Sequence, residues 1–135
     1  MRKKIVAGNW KMNLDYNEGM ALFSEIANMV KDEITGSQQA VICSPFIHLS
    51  SLVQLAKGYD KVAIGAQNAH QNESGAYTGE ISAKMVKSTG ATFVILGHSE
   101  RRQYFGEDNQ LLAKKADTAL ANGLKPIFCI GETLE

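Results

Sequence analysis

The chain has 135 residues, of which 44% are hydrophobic and 21% charged, a composition typical of one globular domain. Its 14 basic and 14 acidic residues cancel, which argues against a nucleic-acid-binding module, because such modules carry a basic surplus. The apolar run at residues 5–7 is far shorter than a signal-peptide core or a membrane span. Cys43 and Cys129 form neither a disulfide framework nor a metal-ligand spacing. These features predict a soluble, cytoplasmic protein with reduced thiols and no membrane contact.

Five apolar runs predict five strands, at residues 5–7, 40–43, 62–64, 93–96 and 127–130. None alternates cleanly between apolar and polar residues, which is typical of parallel strands covered on both faces.

Helical spacing of apolar residues predicts four helices between these strands. The first presents one apolar face, made of Leu22, Phe23, Ile26, Met29, Val30 and Ile34. Asp15 and Glu18 form a capping-box pattern at its start. The other three helices are marked by apolar residues within 49–56, 81–86 and 111–120. A glycine suited to a left-handed helix end follows each helix, at Gly36, Gly58, Gly90 and Gly123.

This alternation predicts a parallel sheet with right-handed crossovers, in a doubly wound or barrel fold. No linker or change of composition divides residues 1–135, so we expect no internal domain boundary.

Polar residues gather just beyond the carboxyl ends of the predicted strands. They are Asn9 and Lys11, Ser44, Gln67 and Asn68, His98 to Glu100, and Glu132. The carboxyl ends of parallel strands share one edge, where α/β and barrel folds place their active sites. Simple termination of each strand is the alternative.

His98 is the strongest candidate among them, because it precedes the predicted first turn of a helix at residues 99–102. The positive end of a helix dipole disfavours imidazolium, and a neutral imidazole can donate its N–H to a substrate oxygen. A histidine that only bonds its neighbours is the alternative. We interpret His48 and His70 as structural.

Lys11 lies two residues beyond Asn9, so both side chains point the same way if the chain stays extended. Trp10 and Met12 would then pack on the opposite side. An ammonium beside an amide suits a small anionic or carbonyl substrate, although a surface lysine is the alternative. Cys43 and Cys129 lie in apolar runs and are predicted to be buried, unreactive thiols.

Residues 68–79 form the one long connection, and loops of this length tend to be functional. A protruding tip that carries Tyr77 would be a partner surface; a self-packed loop is the alternative.

Four segments, residues 7–13, 75–80, 96–102 and 129–134, resemble the triosephosphate isomerase family, and the resemblance covers the whole chain. It implies a (β/α)₈ TIM barrel of which this chain supplies β1-α1 to β5. It also implies the interconversion of dihydroxyacetone phosphate and D-glyceraldehyde 3-phosphate through an enediolate. The family acts in glycolysis and gluconeogenesis and uses no cofactor or metal.

The resemblance assigns roles by position. His98 would be the electrophile that polarises the substrate carbonyl, as in the family's pairing of a neutral histidine with a glutamate base. Asn9 and Lys11 would bind the phosphorylated triose, and Glu100 would order the lysine. Two further residues would support the site, Ser99 and Cys129.

Loop 68–79, with Tyr77 and Thr78, would dock into the second subunit of a homodimer. Asp108 stands where the family has a small hydroxyl residue, and both residue types cap helices.

The resemblance further implies a longer protein, since a complete barrel needs about 250 residues. The family's base is a glutamate followed by proline, but Pro45 and Pro126 follow Ser44 and Lys125. We therefore expect the N-terminal fragment of a barrel, inactive alone, whose partner is the missing C-terminal half. The alternative is a non-catalytic half-barrel module that works only by assembly with another chain.

Overall fold

The structure, a computed structural model, describes residues 2–131. Its elements in chain order are β1 (Ile5–Asn9), α1 (Tyr16–Glu33), β2 (Gln39–Ser44), α2 (Leu49–Ala56), β3 (Val62–Ala66), α3 (Ala83–Ser88), β4 (Phe93–Leu96), α4 (Ser99–Phe105), α5 (Asn109–Ala121) and β5 (Lys125–Phe128). A 3₁₀ turn at Phe46–His48 precedes α2. Within residues 2–131, no helix is long and apolar enough to cross a membrane.

The five strands form one parallel sheet in the order β1-β2-β3-β4-β5. Each strand therefore pairs with its neighbour in sequence; for example, Ile5 pairs with Gln39 at the start of β2. A doubly wound sheet reverses its strand order at a switch point, whereas a barrel winds in one direction. The sequential order confirms the expected fold class, part of a (β/α)₈ barrel.

Helix α1 begins at the capping box that the sequence predicts. The Asp15 carboxylate accepts from the Glu18 N–H at 2.8 Å, and Glu18 Oε1 accepts from the Asp15 N–H at 3.1 Å. The predicted apolar face is correct for Phe23 and Val30 but wrong for Met29, which is 54% exposed. Ala27 lies in the core instead, because it is three residues before Val30 and so shares its face of the helix. Met29 lies about 100° around the helix from Val30.

Three of the four predicted glycine helix ends are confirmed, since Gly58, Gly90 and Gly123 have φ values of 95°, 95° and 77°. Gly36 is not a left-handed helix end. Helix α1 has already ended by then, with the extended Ile34 as its C-cap and the Ile34 N–H bonded to the Val30 carbonyl.

The segment between β4 and β5 holds two helices, one more than the strand–helix alternation predicts. The turn expected after His98 continues as α4 and ends at Gly106, whose φ is 64°. Asp108 then caps α5 by accepting from the Leu111 N–H at 2.8 Å. This confirms that the aspartate can serve as a helix cap here.

The main core lies between the helices and the outer face of the sheet, and a smaller cluster on the inner face contains Val41, Cys43, Phe93 and Ile95. The expectation that every strand is covered on both faces is wrong for β1, which is exposed along its whole length. The edge strands β1 and β5 each have a neighbouring strand on one side only.

Candidate active site

A cavity of about 500 Å³ opens at the carboxyl ends of the strands. It is lined by polar residues that follow β1, β3 and β4, among them Asn9, Lys11, Gln67, Asn68, His98 and Glu100. Five stretches of sequence that are distant along the chain therefore contribute to one concave surface, at residues 9–12, 46, 67–68, 79–81 and 95–105. Ser44, by contrast, is fully buried and does not line the cavity.

His98 stands at the N-cap of α4, where its Nδ1 accepts from the Glu100 N–H at 3.1 Å. Accepting this bond requires a lone pair on Nδ1, so a neutral ring carries its proton on Nε2. The side chain is 25% exposed and lines the cavity. The imidazole therefore offers a donor, Nε2–H, to a molecule bound there.

Lys11 and Glu100 form an ion pair across the cavity, with 2.8 Å between Nζ and Oε1. The hydrogen bond between them raises the pKa of Lys11 and lowers the pKa of Glu100. Because both side chains are well exposed, the pair adds little to stability. Its effect is to hold the ammonium at the cavity that His98 also lines, and Glu100 Oε2 lies 3.7 Å from His98 Nδ1.

The backbone of Lys11 is left-handed, with φ 58°, and no other non-glycine residue between 2 and 131 has a positive φ. Such a conformation costs about 1–3 kcal/mol and is typical of functional sites. The Lys11 N–H donates to Asn9 Oδ1 at 2.9 Å. The prediction of an extended chain is thus wrong after Asn9, and Met12, 93% exposed, does not pack. Trp10 does pack against the core, as predicted.

Gln67 fastens this loop to the sheet, a role that sequence reasoning missed. Its Nε2 donates to the Lys11 carbonyl at 3.0 Å and approaches Cys43 O at 3.2 Å and Asn9 Oδ1 at 3.3 Å. The sole sequence signal is a polar residue directly after a strand. Its three acceptors belong to residues 24 to 58 positions earlier in the chain.

Arg102 joins the ends of β4 and β5. Its guanidinium donates to Gly97 O at 2.8 Å, to Cys129 O at 3.0 Å and to Asn109 Oδ1 at 2.8 Å. Cys129 is therefore linked to the site through its backbone carbonyl, which Arg102 binds. The Cys129 residue is only partly buried. Burial raises the pKa of both thiols, that of Cys43 to about 12, so neither is a ready nucleophile.

A buried charge network lies behind the cavity and was not predicted. Lys115 donates to Asn68 Oδ1 at 2.9 Å and to the Glu107 carboxylate, which also accepts from Arg101 Nε at 3.0 Å. Burial favours the neutral form of Glu107, but the bonds from Lys115 and Arg101 outweigh it, and its pKa is lowered. The network ties α4 and α5 to the segment that follows β3.

The remaining predicted residues lie away from the cavity wall. Tyr77 and Thr78 are exposed in loop 68–79, and the centroid of the Tyr77 ring lies 4.5 Å from that of the His70 ring. Ser99 is exposed on α4. Asn68 and Gly79 do line the cavity, as does Glu80, so the loop reaches the site with its two ends and not with its tip.

The predicted segment 129–134 is described only as far as residue 131, and Glu132 lies outside the described residues. Between residues 2 and 131, no three histidine, cysteine, aspartate or glutamate side chains come together as a metal site.

Comparison with known proteins identifies the family. The model of the family described as "Triosephosphate isomerase" matches residues 4–135. The chain is 60% identical to the triosephosphate isomerase of Cytophaga hutchinsonii, covering 99% of this chain and 53% of that protein. Identity to the Bacteroides fragilis triosephosphate isomerase is 56%, covering 100% and 53%, and to that of Herpetosiphon aurantiacus 51%, covering 98% and 52%. The chain spans about half the length of the curated relatives it matches. On the match of 132 of its residues and the sequential parallel sheet, the chain belongs to the triosephosphate isomerase family.

Proposed function

We propose that the protein containing this chain interconverts dihydroxyacetone phosphate and D-glyceraldehyde 3-phosphate through an enediolate. One observation carries the proposal: Lys11, ion-paired at 2.8 Å, and His98, with its Nε2–H available, line the same cavity. A cation and a neutral donor on one small concave surface suit a substrate that carries both an anionic group and a carbonyl.

His98 acts as the electrophile. Its Nε2–H donates to the substrate carbonyl oxygen and, more strongly, to the oxyanion that forms when the neighbouring carbon loses a proton. A neutral imidazole makes this bond without competing for the transferred proton. The bond from the Glu100 N–H to Nδ1 keeps the ring in the required tautomer.

Lys11 and Asn9 bind the substrate. The ammonium attracts the phosphate-bearing triose, and its ion pair with Glu100 raises the lysine pKa and holds the side chain at the cavity. Asn9 holds the lysine backbone through its Oδ1. Isomerisation within one molecule needs no redox or group-transfer cofactor, so the proposed reaction uses none.

The general base comes from the remainder of the protein. No glutamate in the 135 residues is followed by proline, the pattern expected of the family's base. We assign residues 1–135 to one part of a single barrel domain, which supplies the electrophile and the substrate-binding lysine. The other part of the barrel would supply the base.

The protein would act as a cytoplasmic homodimer in glycolysis and gluconeogenesis. Tyr77 is 45% exposed in loop 68–79, and large apolar side chains surround the cavity mouth, with Met12, Tyr104 and Phe105 exposed by 93%, 69% and 67%. Such a concentration of exposed apolar side chains supports a subunit contact through loop 68–79 and the cavity mouth.

The test is an isomerase assay on the complete natural polypeptide that contains this sequence. We expect it to convert D-glyceraldehyde 3-phosphate into dihydroxyacetone phosphate without added metal or cofactor. A folded protein with no such turnover would refute the assignment and leave the non-catalytic assembly module as the better reading.

A further inference from the structure

His48 is a buried histidine that lies outside the cavity lining. It ends the 3₁₀ turn before α2, and its Nε2 lies 2.8 Å from the Asp15 carbonyl oxygen. Because a carbonyl can only accept a hydrogen bond, Nε2 carries the proton. Nδ1 has no partner among the described residues, so this one bond fixes the orientation of the imidazole.

Two aromatic rings lie against the imidazole. The Trp10 ring meets it edge-on with 5.7 Å between centroids, and the Tyr16 ring lies nearly parallel at 6.4 Å. The Tyr16 hydroxyl is also 2.6 Å from Ser51 Oγ on α2. His48 therefore contacts both ends of residues 10–16, the segment that runs from the end of β1 to the first residue of α1 and carries Lys11.

Gly19 on α1 provides the space for this arrangement. A Cβ at position 19 would lie 2.5 Å from both Cδ2 and Nε2 of His48. The Gly19 N–H donates to the same Asp15 carbonyl at 3.0 Å. Glycine inside a helix is less stable than alanine, so α1 carries a destabilising residue at the position where the imidazole is seated.

We propose that His48 is a positioning residue: it holds residues 10–16 against α2, so that Lys11 keeps its left-handed backbone and its ammonium stays at the cavity. The inference rests on the proposed function in so far as Lys11 binds the substrate anion. Trp10 precedes Lys11 directly, and its N–H is bonded to Cys43 O at 3.0 Å. A shift of the imidazole therefore acts on Lys11 through its immediate neighbour.

Three variants of the complete protein separate this role from a merely structural one. His48→Leu fills the space without a donor, His48→Gln keeps an amide N–H near the position of Nε2, and Gly19→Ala displaces the imidazole. Ser24→Ala, at an exposed position on the same helix, is the control for altered helix propensity.

We expect His48→Leu and Gly19→Ala to raise KM for D-glyceraldehyde 3-phosphate about tenfold, the equivalent of one net hydrogen bond. His48→Gln should restore KM to within about threefold of the original, and Ser24→Ala should leave KM unchanged. Partial unfolding lowers the number of active molecules and hence kcat, but it does not raise the KM of the molecules that remain folded.

A second measurement does not depend on catalysis. Hydrogen exchange of peptides covering residues 10–16, read by mass spectrometry, should be faster in His48→Leu than in His48→Gln. In a His48→Ala background, Gly19→Ala should add no further acceleration, because the new methyl group no longer meets an imidazole. If the unsubstituted protein is not an isomerase, the proposed function fails while the exchange data still decide the role of His48.

Unchanged KM and unchanged exchange in His48→Leu would overturn the inference. So would a Gly19→Ala protein that is simply more stable, with the original KM and exchange. Should His48→Leu not fold, Gly19→Ala and the double variant decide the question by the same two measurements.

Discussion

Replacing Lys115 by methionine should destabilise the complete protein by about 3–5 kcal/mol at pH 7, the range found when one partner of a buried ion pair is removed. Methionine retains an unbranched apolar chain but lacks the ammonium that bonds Glu107 and Asn68. The side chains of Lys115 and Glu107 are 3% and 2% exposed, so water cannot replace the lost bonds. Glu107 would keep a single partner, Arg101 at 3.0 Å.

The pH dependence of this loss follows from the lowered pKa of Glu107. A carboxylate whose pKa is lower in the folded than in the unfolded state stabilises the protein above the unfolded value. That stabilisation disappears as the pH falls through the folded pKa. The difference in stability between the original protein and Lys115→Met should therefore be largest near neutral pH and shrink below about pH 4.

Equilibrium urea unfolding, followed by circular dichroism from pH 3 to pH 8, measures this difference. Glu107→Gln combined with Lys115→Met is the control, because a neutral amide needs no counter-charge and the double variant should recover part of the loss. A cost below about 1 kcal/mol at pH 7, the range of exposed pairs, would refute the argument. A cost that the second substitution does not reduce would refute it equally.

Four further outcomes are expected. His98→Gln in the complete protein should fold normally and lower kcat by roughly 10²-fold or more, the scale of losing one positioned donor; unchanged kcat in steady-state assays would remove His98 from the mechanism. Lys11→Met should lower kcat/KM strongly, and a change of less than about threefold would make Lys11 an ordinary surface residue. Replacing residues 75–79 by a shorter polar turn should give monomers of low activity, and sedimentation that shows an active dimer would contradict this. Residues 1–135 alone should show no isomerisation and should associate through the open edges of β1 and β5, so a well-folded, active monomer would overturn that expectation.

Local signals in the sequence predicted the features that depend on neighbouring residues. The capping box at Asp15 involves a donor three residues away, as does the cap at Asp108 that the family resemblance indicated, and the strand–helix alternation predicts a parallel sheet. The same reasoning placed Asn9, Lys11 and His98 at one edge, because the carboxyl ends of parallel strands must converge.

What failed depends on contacts between distant segments. The left-handed Lys11 is held by Gln67, 56 positions further along the chain, and no local pattern marks a non-glycine residue for that conformation. Lys115 is buried although lysine is rarely so, and its partner Asn68 lies 47 positions away. Gly36 is the one local failure: it has the expected residue type, but α1 has already ended at the extended Ile34, two residues earlier.

Position 102 should not tolerate replacement of its arginine by lysine, although both side chains are cationic. Its three bonds run from separate nitrogens to acceptors on the residue after β4, on the residue after β5 and on α5. A lysine ammonium concentrates its donors at one point and cannot span those acceptors. Because Gly97 immediately precedes His98, any drift of the adjoining strand end would tilt the imidazole as well. An engineer who recombines halves of related barrels should therefore treat Arg102 and the acceptor carbonyl at position 129 as one inseparable unit.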